Sequence, residues 1–233
     1  MDFSRFTALS FDCYGTLIDW EAGILPALRA VLRNHGIKMS DPAILELYGE
    51  LEAAAESGTY QSYRKVLESV VRGFAARFDF AASTDEIRSL GESVGEWPAF
   101  ADTVAALRAL QERYKLVVIS NIDDDLFKAT RRRLGVEFAE VITAQQAGSY
   151  KPSLNNFRMA LERVGIGAEQ WLHAGQSVYH DVVPARSMGI STAWVNRKSA
   201  RPGIGAVRLS NEPASKQCAD LEVADLASLA AKL

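Results

Sequence analysis

FTALSFDCYGTL, residues 6–17, passes from an apolar run straight into a carboxylate, a glycine turn and a hydroxyl. An unbroken apolar run of this length fits a strand buried on both faces, as in a parallel sheet. Four further runs share its character: residues 115–120 (KLVVIS), 140–143 (EVIT), 170–174 (QWLHA) and 191–196 (STAWVN). Each is short, and each is followed by a loop rich in Gly, Ser, Asn or Asp. Helical patterns lie between them, at residues 103–113 (TVAALRALQER), 125–134, 153–164 and, more briefly, 182–188. Strand and helix alternating in this way predict a doubly wound α/β domain with a parallel sheet.

Residues 20–96 read differently, as helix after helix with no strand. Pro42 stands just inside a helix beginning after Ser40 or Asp41, where a missing N–H does no harm. Tyr63, Val66, Leu67, Val70, Val71 and Phe74 recur at helical spacing. A helical insert after the first strand is therefore expected, over residues 19–97, with residues 1–18 and 98–233 forming the core. Trp97-Pro98 marks the return, because the residue before a proline resists helix. Residues 200–215 carry Pro and Gly and are expected to form loop with one edge strand; a last helix is expected over residues 223–233.

Composition narrows the function classes. A chain of 233 residues suits one large domain, or one domain with a smaller insert. At 48% hydrophobic and 24% charged residues it is neither disordered nor collagen-like. Lys and Arg total 26 against 29 Asp and Glu, a net charge of -3, which argues against a nucleic-acid partner. Cys13 and Cys218 are too few for a disulfide framework and lie in no CxxC pair, so a reducing, cytoplasmic setting is expected. Neither a signal-peptide pattern nor an apolar run long enough to span a bilayer is seen, and no membrane partner is expected.

In a sheet of this kind, ligands bind beyond the carboxyl ends of the strands. Asp12-Cys13-Tyr14-Gly15-Thr16-Leu17 follows the first strand and Ser120-Asn121 the second. Ser149-Tyr150-Lys151-Pro152 lies downstream of the third, and Gly175-Gln176-Ser177-Val178-Tyr179-His180-Asp181 follows the fourth. Topology thus brings two carboxylates, a lysine and a hydroxyl–amide pair to one rim. A carboxylate there can act as a nucleophile that forms a covalent ester. A neighbouring lysine keeps it ionised and stabilises developing negative charge.

These four segments, in this order and after these strands, resemble the four motifs of the haloacid dehalogenase superfamily. The resemblance covers about residues 1–18 and 98–200, and the helical insert matches the family's small cap in position. It implies a Rossmann-like core and an aspartyl-ester intermediate on Asp12. The superfamily's phosphatases carry a second Asp two places after the nucleophile, which protonates the leaving group and helps position Mg²⁺. Tyr14 stands there in this chain, and Gln176 follows Gly175 where those enzymes place another Asp. A hard dication favours carboxylate oxygens. Asp followed by Tyr-Gly-Thr instead resembles the metal-free type II 2-haloacid dehalogenases, whose leaving halide needs no general acid. Two of their features are missing. Their cap arginine falls near Leu47 or Tyr48, the next arginine being Arg64, and Val178 replaces their fourth-motif Asn.

The expected reaction is therefore hydrolysis of a small 2-haloacid or related small anionic organic substrate, with no cofactor and no metal site. Asp12 is the expected nucleophile, with Lys151, Asp181, Ser120, Asn121 and Thr16 in the catalytic machinery. Ser120 and Asn121 are assigned to an oxyanion or the substrate carboxylate, rather than to turn hydrogen bonds alone. Asp181 also suits an N-cap, a use compatible with orienting Lys151 or the hydrolytic water. Tyr14, Ser177, Arg64, Trp20 and His180 are the candidate substrate contacts, with Tyr14 equally readable as a packing ring. Cys13 is expected to be a packed side chain. A Ser–His–Asp site using His180 is disfavoured, because no Gly-x-Ser-x-Gly elbow is present. His35 and His173 are read as structural. Two rivals stay open. One is an Mg²⁺-dependent phosphatase on a small phosphate ester, with Asp12 and Asp181 holding the ion. The other is a non-catalytic small-anion-binding protein. A homodimer is compatible with the apolar helix faces.

Overall fold

The apolar runs form strands because their aliphatic and β-branched residues fit a pleated surface buried on both sides. The computed structural model describes residues 2–197 and 219–233. After β1 (Ala8–Phe11) come four helices, α1 (Trp20–Asn34), α2 (Asp41–Glu56), α3 (Tyr63–Arg77) and α4 (Thr84–Ser93). The chain continues through α5 (Thr103–Gln111), β2 (Lys115–Ser120), α6 (Asp124–Leu134), β3 (Glu140–Thr143), α7 (Ala144–Ala147) and α8 (Leu154–Val164). It then forms β4 (Trp171–Gly175), α9 (Val183–Ser187), β5 (Ser191–Val195), β6 (Leu221–Val223) and α10 (Leu226–Ala230).

The strands pair in parallel, in the order β3-β2-β1-β4-β5-β6. The winding direction reverses between β1 and β4, which opens a crevice at their carboxyl ends. Alternation splits the core between the two faces. Leu9 and Phe11 pack with Leu116, Val118, Leu172 and Ala174 on one side. Ala8 packs with Val117, Ile119, Phe157 and Trp171 on the other. This is the doubly wound α/β architecture expected from the sequence.

One expectation fails at the chain's end. Residues 223–233 are not a single helix: Leu221–Val223 joins β5 as a sixth strand, and α10 covers only Leu226–Ala230. Leu-Glu-Val alternates at the strand period, and the Asp225 carboxylate accepts from Ser228 N–H, fixing the helix start after it. Residues 200–215 lie outside the described residues, as does Cys218. Among the described residues, no helix is long and apolar enough to cross a membrane.

The helical insert leaves and rejoins the sheet through two adjacent segments. Asp19 N–H donates to Pro98 O at 2.8 Å and Phe100 N–H to Leu17 O at 3.1 Å, with Ile18 bridged to Ala99. Trp97 is buried against Gly23, where an added Cβ would lie 2.1 Å from the indole, so only glycine allows that approach. A second tie comes from the loop after β2. The Asp123 carboxylate accepts from Tyr63 N–H and Arg64 N–H, both at 2.9 Å. The orphan donors at the start of α3 are thus capped from the core, while Ser62 makes no side-chain capping bond. Tyr150 Oη adds a bond to Gln61 O at 2.8 Å.

Candidate active site

Asp12 is the first residue past β1, and its backbone N–H still donates to Ala174 O of β4 at 3.0 Å. It therefore stands where the sheet reverses direction. Thr16 Oγ1 donates to Asp12 Oδ2 at 2.7 Å while accepting from Gln176 N–H at 2.9 Å. One hydroxyl thus joins the loops after β1 and β4. The Arg197 guanidinium donates to Thr16 O and pairs with Asp102, bracing the same turn from outside.

Lys151 is buried at 2% exposure. Its Nζ donates to Asp12 Oδ1 at 3.0 Å, Asp181 Oδ1 at 2.6 Å and Ile119 O at 2.8 Å. An ammonium has three donors, so all are used. Burial alone would favour the neutral amine, but Asp12 and Asp181 outweigh it and hold the ammonium above its ordinary pKa. Burial would also raise Asp181. Lys151 and His173 reverse that effect and hold its carboxyl well below the ordinary range. Asp12 shares the ammonium less closely, so burial prevails there and pushes its carboxyl up. Asn121 anchors the lysine by its backbone, accepting from Lys151 N–H at 2.7 Å and donating to Lys151 O at 3.2 Å. It is a positioning residue in this geometry, not a group reserved for an oxyanion. Ser120 Oγ is different: it is buried and has no hydrogen-bond partner among the described residues.

Asp181 does not cap a helix. It lies inside a single π-helical turn, Val178–Val182, whose cap is Ser177, accepting from His180 N–H at 3.0 Å. Behind Asp181 runs a buried chain on one face of the sheet. Trp171 Nε1–H donates to Ser10 Oγ at 2.6 Å, Ser10 Oγ lies 2.7 Å from His173 Nδ1, and His173 Nε2 lies 3.2 Å from Asp181 Oδ1. An indole can only donate, so Ser10 Oγ accepts from Trp171, while His173 Nε2–H faces the Asp181 carboxylate as its donor. His173 is thus more than the ordinary structural residue its sequence context suggests. No four-residue motif carries it; the signal is its place, two residues before the strand end.

A cavity of about 120 Å³ opens above Asp12. Its core side presents Asp12, Ser120, Asn121, Lys151 and Asp181, its walls Tyr14, Trp20 and Trp97, and its rim Gln176, Ser177 and His180. The Tyr14 hydroxyl is tied to Thr130 Oγ1 at 2.8 Å, and its ring meets Trp97 edge-on at 5.6 Å. Burial pushes the Tyr14 phenol well above its ordinary pKa, so it stays protonated. The Cys13 thiol is buried and pushed up likewise, as a packed side chain rather than a nucleophile. Burial lowers His180 to about 4, leaving it neutral near pH 7. If the Tyr14 hydroxyl serves packing, Tyr14→Phe will leave turnover near wild type and cost about 1 kcal/mol in urea unfolding. A loss of about 100-fold, the scale of general acid catalysis, would instead put that hydroxyl on the substrate.

Arg64 is a correction. It does not line the cavity but bonds Asp125 Oδ2 at 2.6 Å across the surface. The Asp123 cap fixes the start of α3 so that this side chain turns outward to the next acidic residues. The insert instead presents Tyr48, Glu52, Glu56 and Tyr63 to the cavity. Sequence reading missed Tyr48, Glu52 and Glu56, although they fall four apart on one face of α2. Among the described residues, no cluster of three or more His, Cys, Asp or Glu is arranged to hold a metal ion.

Comparison with known proteins places this geometry. The model of a hydrolase family, haloacid dehalogenase-like hydrolase, matches residues 6–189. A zebrafish (Danio rerio) haloacid dehalogenase-like hydrolase domain-containing protein 3 is 32% identical over 45% of this chain, which matches only 44% of that protein's length. The 5-amino-6-(5-phospho-D-ribitylamino)uracil phosphatase YigB of Escherichia coli is 26% identical over 97% of this chain and 95% of its own. Among solved structures, the L-2-haloacid dehalogenase of Xanthobacter autotrophicus superposes with a TM-score of 0.79 at 18% identity, covering 97% of each chain.

Proposed function

This chain belongs to the haloacid dehalogenase-like hydrolases, and from that membership we propose that it hydrolyses small 2-haloacids through an ester on Asp12, without a metal ion. The carrying observation is the bond from the Tyr14 hydroxyl to Thr130. The place two residues after the nucleophile then holds no free acid, which suits a leaving group that departs unprotonated, as a halide does. In this reading residues 19–97 act as a cap over the core.

An Asp12 oxygen attacks the halogen-bearing carbon, a C–O bond forms, and the C–halogen bond breaks with inversion. Water then adds to Cγ of the Asp12 ester, releasing the 2-hydroxyacid and a proton and restoring the carboxylate. Ser120 Oγ–H, buried without a partner, is suited to the substrate carboxylate. Lys151 balances charge as the Asp12 carboxylate is consumed and regenerated. The size agrees. A cavity of about 150 Å³ accepts the ring of benzene, so about 120 Å³ suits a small organic anion of roughly five heavy atoms, such as chloroacetate.

The residues present favour Lys151 over Mg²⁺ as the partner of the two carboxylates. Lys151 Nζ bonds both Asp12 Oδ1 and Asp181 Oδ1, and Gln176 adds no charge. Phosphatase relatives keep that rival specific enough to test. L-2-chloropropionate in EDTA is expected to release chloride, while an aryl phosphate with Mg²⁺ is not turned over. The reverse pattern would overturn the proposal in favour of the phosphatase.

A further inference from the structure

The cavity holds one cation and four carboxyl groups. Lys151 faces Asp12, Asp181, Glu52 and Glu56, and no arginine lines the space among the described residues. Every Lys151 N–H is already committed to the core side. The insert side therefore offers acceptors rather than a cationic cradle for an anion.

Glu52 and Glu56 lie one turn apart on α2, on the same helix face. Glu52 Oε1 accepts from both Tyr48 Oη, at 2.6 Å, and Tyr63 Oη, at 2.5 Å. The two phenols converge on one oxygen and leave Oε2 to the cavity. The Glu56 carboxyl forms no hydrogen bond and no ion pair among the described residues, although it lines the cavity. Burial pushes both carboxyls up, as expected of acids that lack a partner cation. On the core side, the fully buried Ser120 hydroxyl is likewise unpartnered. The same cavity thus carries an unused donor at one end and unused acceptors at the other.

We propose that the substrate is a zwitterion, an amino-substituted haloacid whose carboxylate meets Ser120 and whose ammonium group is held by Glu52 and Glu56. This rests on the hydrolase reading and deepens it. Both glutamates also line an adjoining cavity of about 530 Å³, bordered by Tyr60, Tyr150 and His180, which gives a longer amino-bearing chain room to extend.

Two unreactive probes, 4-aminobutyrate and pentanoate, match in size and differ by an ammonium in place of a methyl. Titration calorimetry on the full chain is expected to show 4-aminobutyrate binding tighter by about 10-fold or more, the scale of one close charge pair. Glu56→Gln is expected to abolish that preference. It is the decisive variant, because Glu56 supports no other group by hydrogen bonding. Glu52→Gln should reduce the preference too. Equal binding of the two probes by wild type, or a preference surviving in Glu56→Gln, would overturn the proposal. An ammonium preference without halide release from any haloacid would overturn the dehalogenation reading alone and leave the glutamate site standing.

Discussion

On the proposed ester mechanism, Asp12→Asn will abolish halide release, by on the order of 10⁴-fold or more, with little loss of folded protein. The amide keeps the shape of the carboxylate, and its one oxygen can still accept from Lys151 Nζ while its NH2 turns to Thr16 Oγ1 as a donor. It cannot form the ester. Folding should survive because the fold rests on the two apolar faces of the sheet, not on this side chain. A single turnover of excess wild-type enzyme in heavy-oxygen water makes the test sharper. The product must then carry an ordinary oxygen donated by Asp12, and the peptide containing Asp12 must gain the heavy one. Heavy oxygen appearing directly in the product would mean that water attacks the substrate itself, and the ester mechanism would be wrong. Burial pushes the Asp12 carboxyl up, and only the carboxylate attacks. Wild-type kcat/KM should therefore fall on the acid side at a pH above the ordinary aspartate value of 3.8.

Lys151→Met will cost both activity and stability, the latter by about 3–5 kcal/mol near pH 7, because it leaves Asp12 and Asp181 buried without their shared cation. The sign of the pH dependence should also invert. In wild type, the pKa of Asp181 is depressed on folding. Its contribution is present above the unfolded carboxylate pKa and is lost as pH falls through the folded one. Without Lys151, the burial that already favours protonation is opposed only by Thr16 at Asp12 and by His173 at Asp181. The Asp12 pKa, already raised by burial, then moves further above its unfolded value, the depression at Asp181 shrinks, and stability drops as pH rises through the Asp12 window. Thermal unfolding of the variant between pH 4 and pH 8 should therefore show its highest Tm at the acid end. A variant whose Tm rises with pH over that range, like a protein with paired carboxylates, would mean that Lys151 does not neutralise the pair.

The strands and the rim were legible from local signals. Lys115–Ser120 and Glu140–Thr143 have the same bounds in sequence and structure, because a strand buried on both faces writes itself as an uninterrupted apolar run. Asp12, Thr16, Ser120, Lys151 and Asp181 each follow or lie downstream of such a strand, so parallel topology alone brings them together. The last helix was misread because Leu221–Val223 is too short for its strand period to stand out beside the helix-forming residues after it.

Direction and partnership were decided only by the tertiary structure. The sequence determined that residues 6–17 end a buried strand on a carboxylate, and that a lysine and a second carboxylate reach the same rim. It could not determine that Asn121 grips the Lys151 backbone, that His173 links Ser10 to Asp181, or that the Tyr14 hydroxyl belongs to Thr130. Nor could it direct Arg64 outward and Glu56 inward. Those outcomes depend on how α3 is rotated by the Asp123 cap and how α2 lies over the crevice. Helix and strand periods are set by neighbours along the chain. A side chain's partner is set by elements more than a hundred residues away, as between Asp12 and Lys151, and no local pattern encodes that distance.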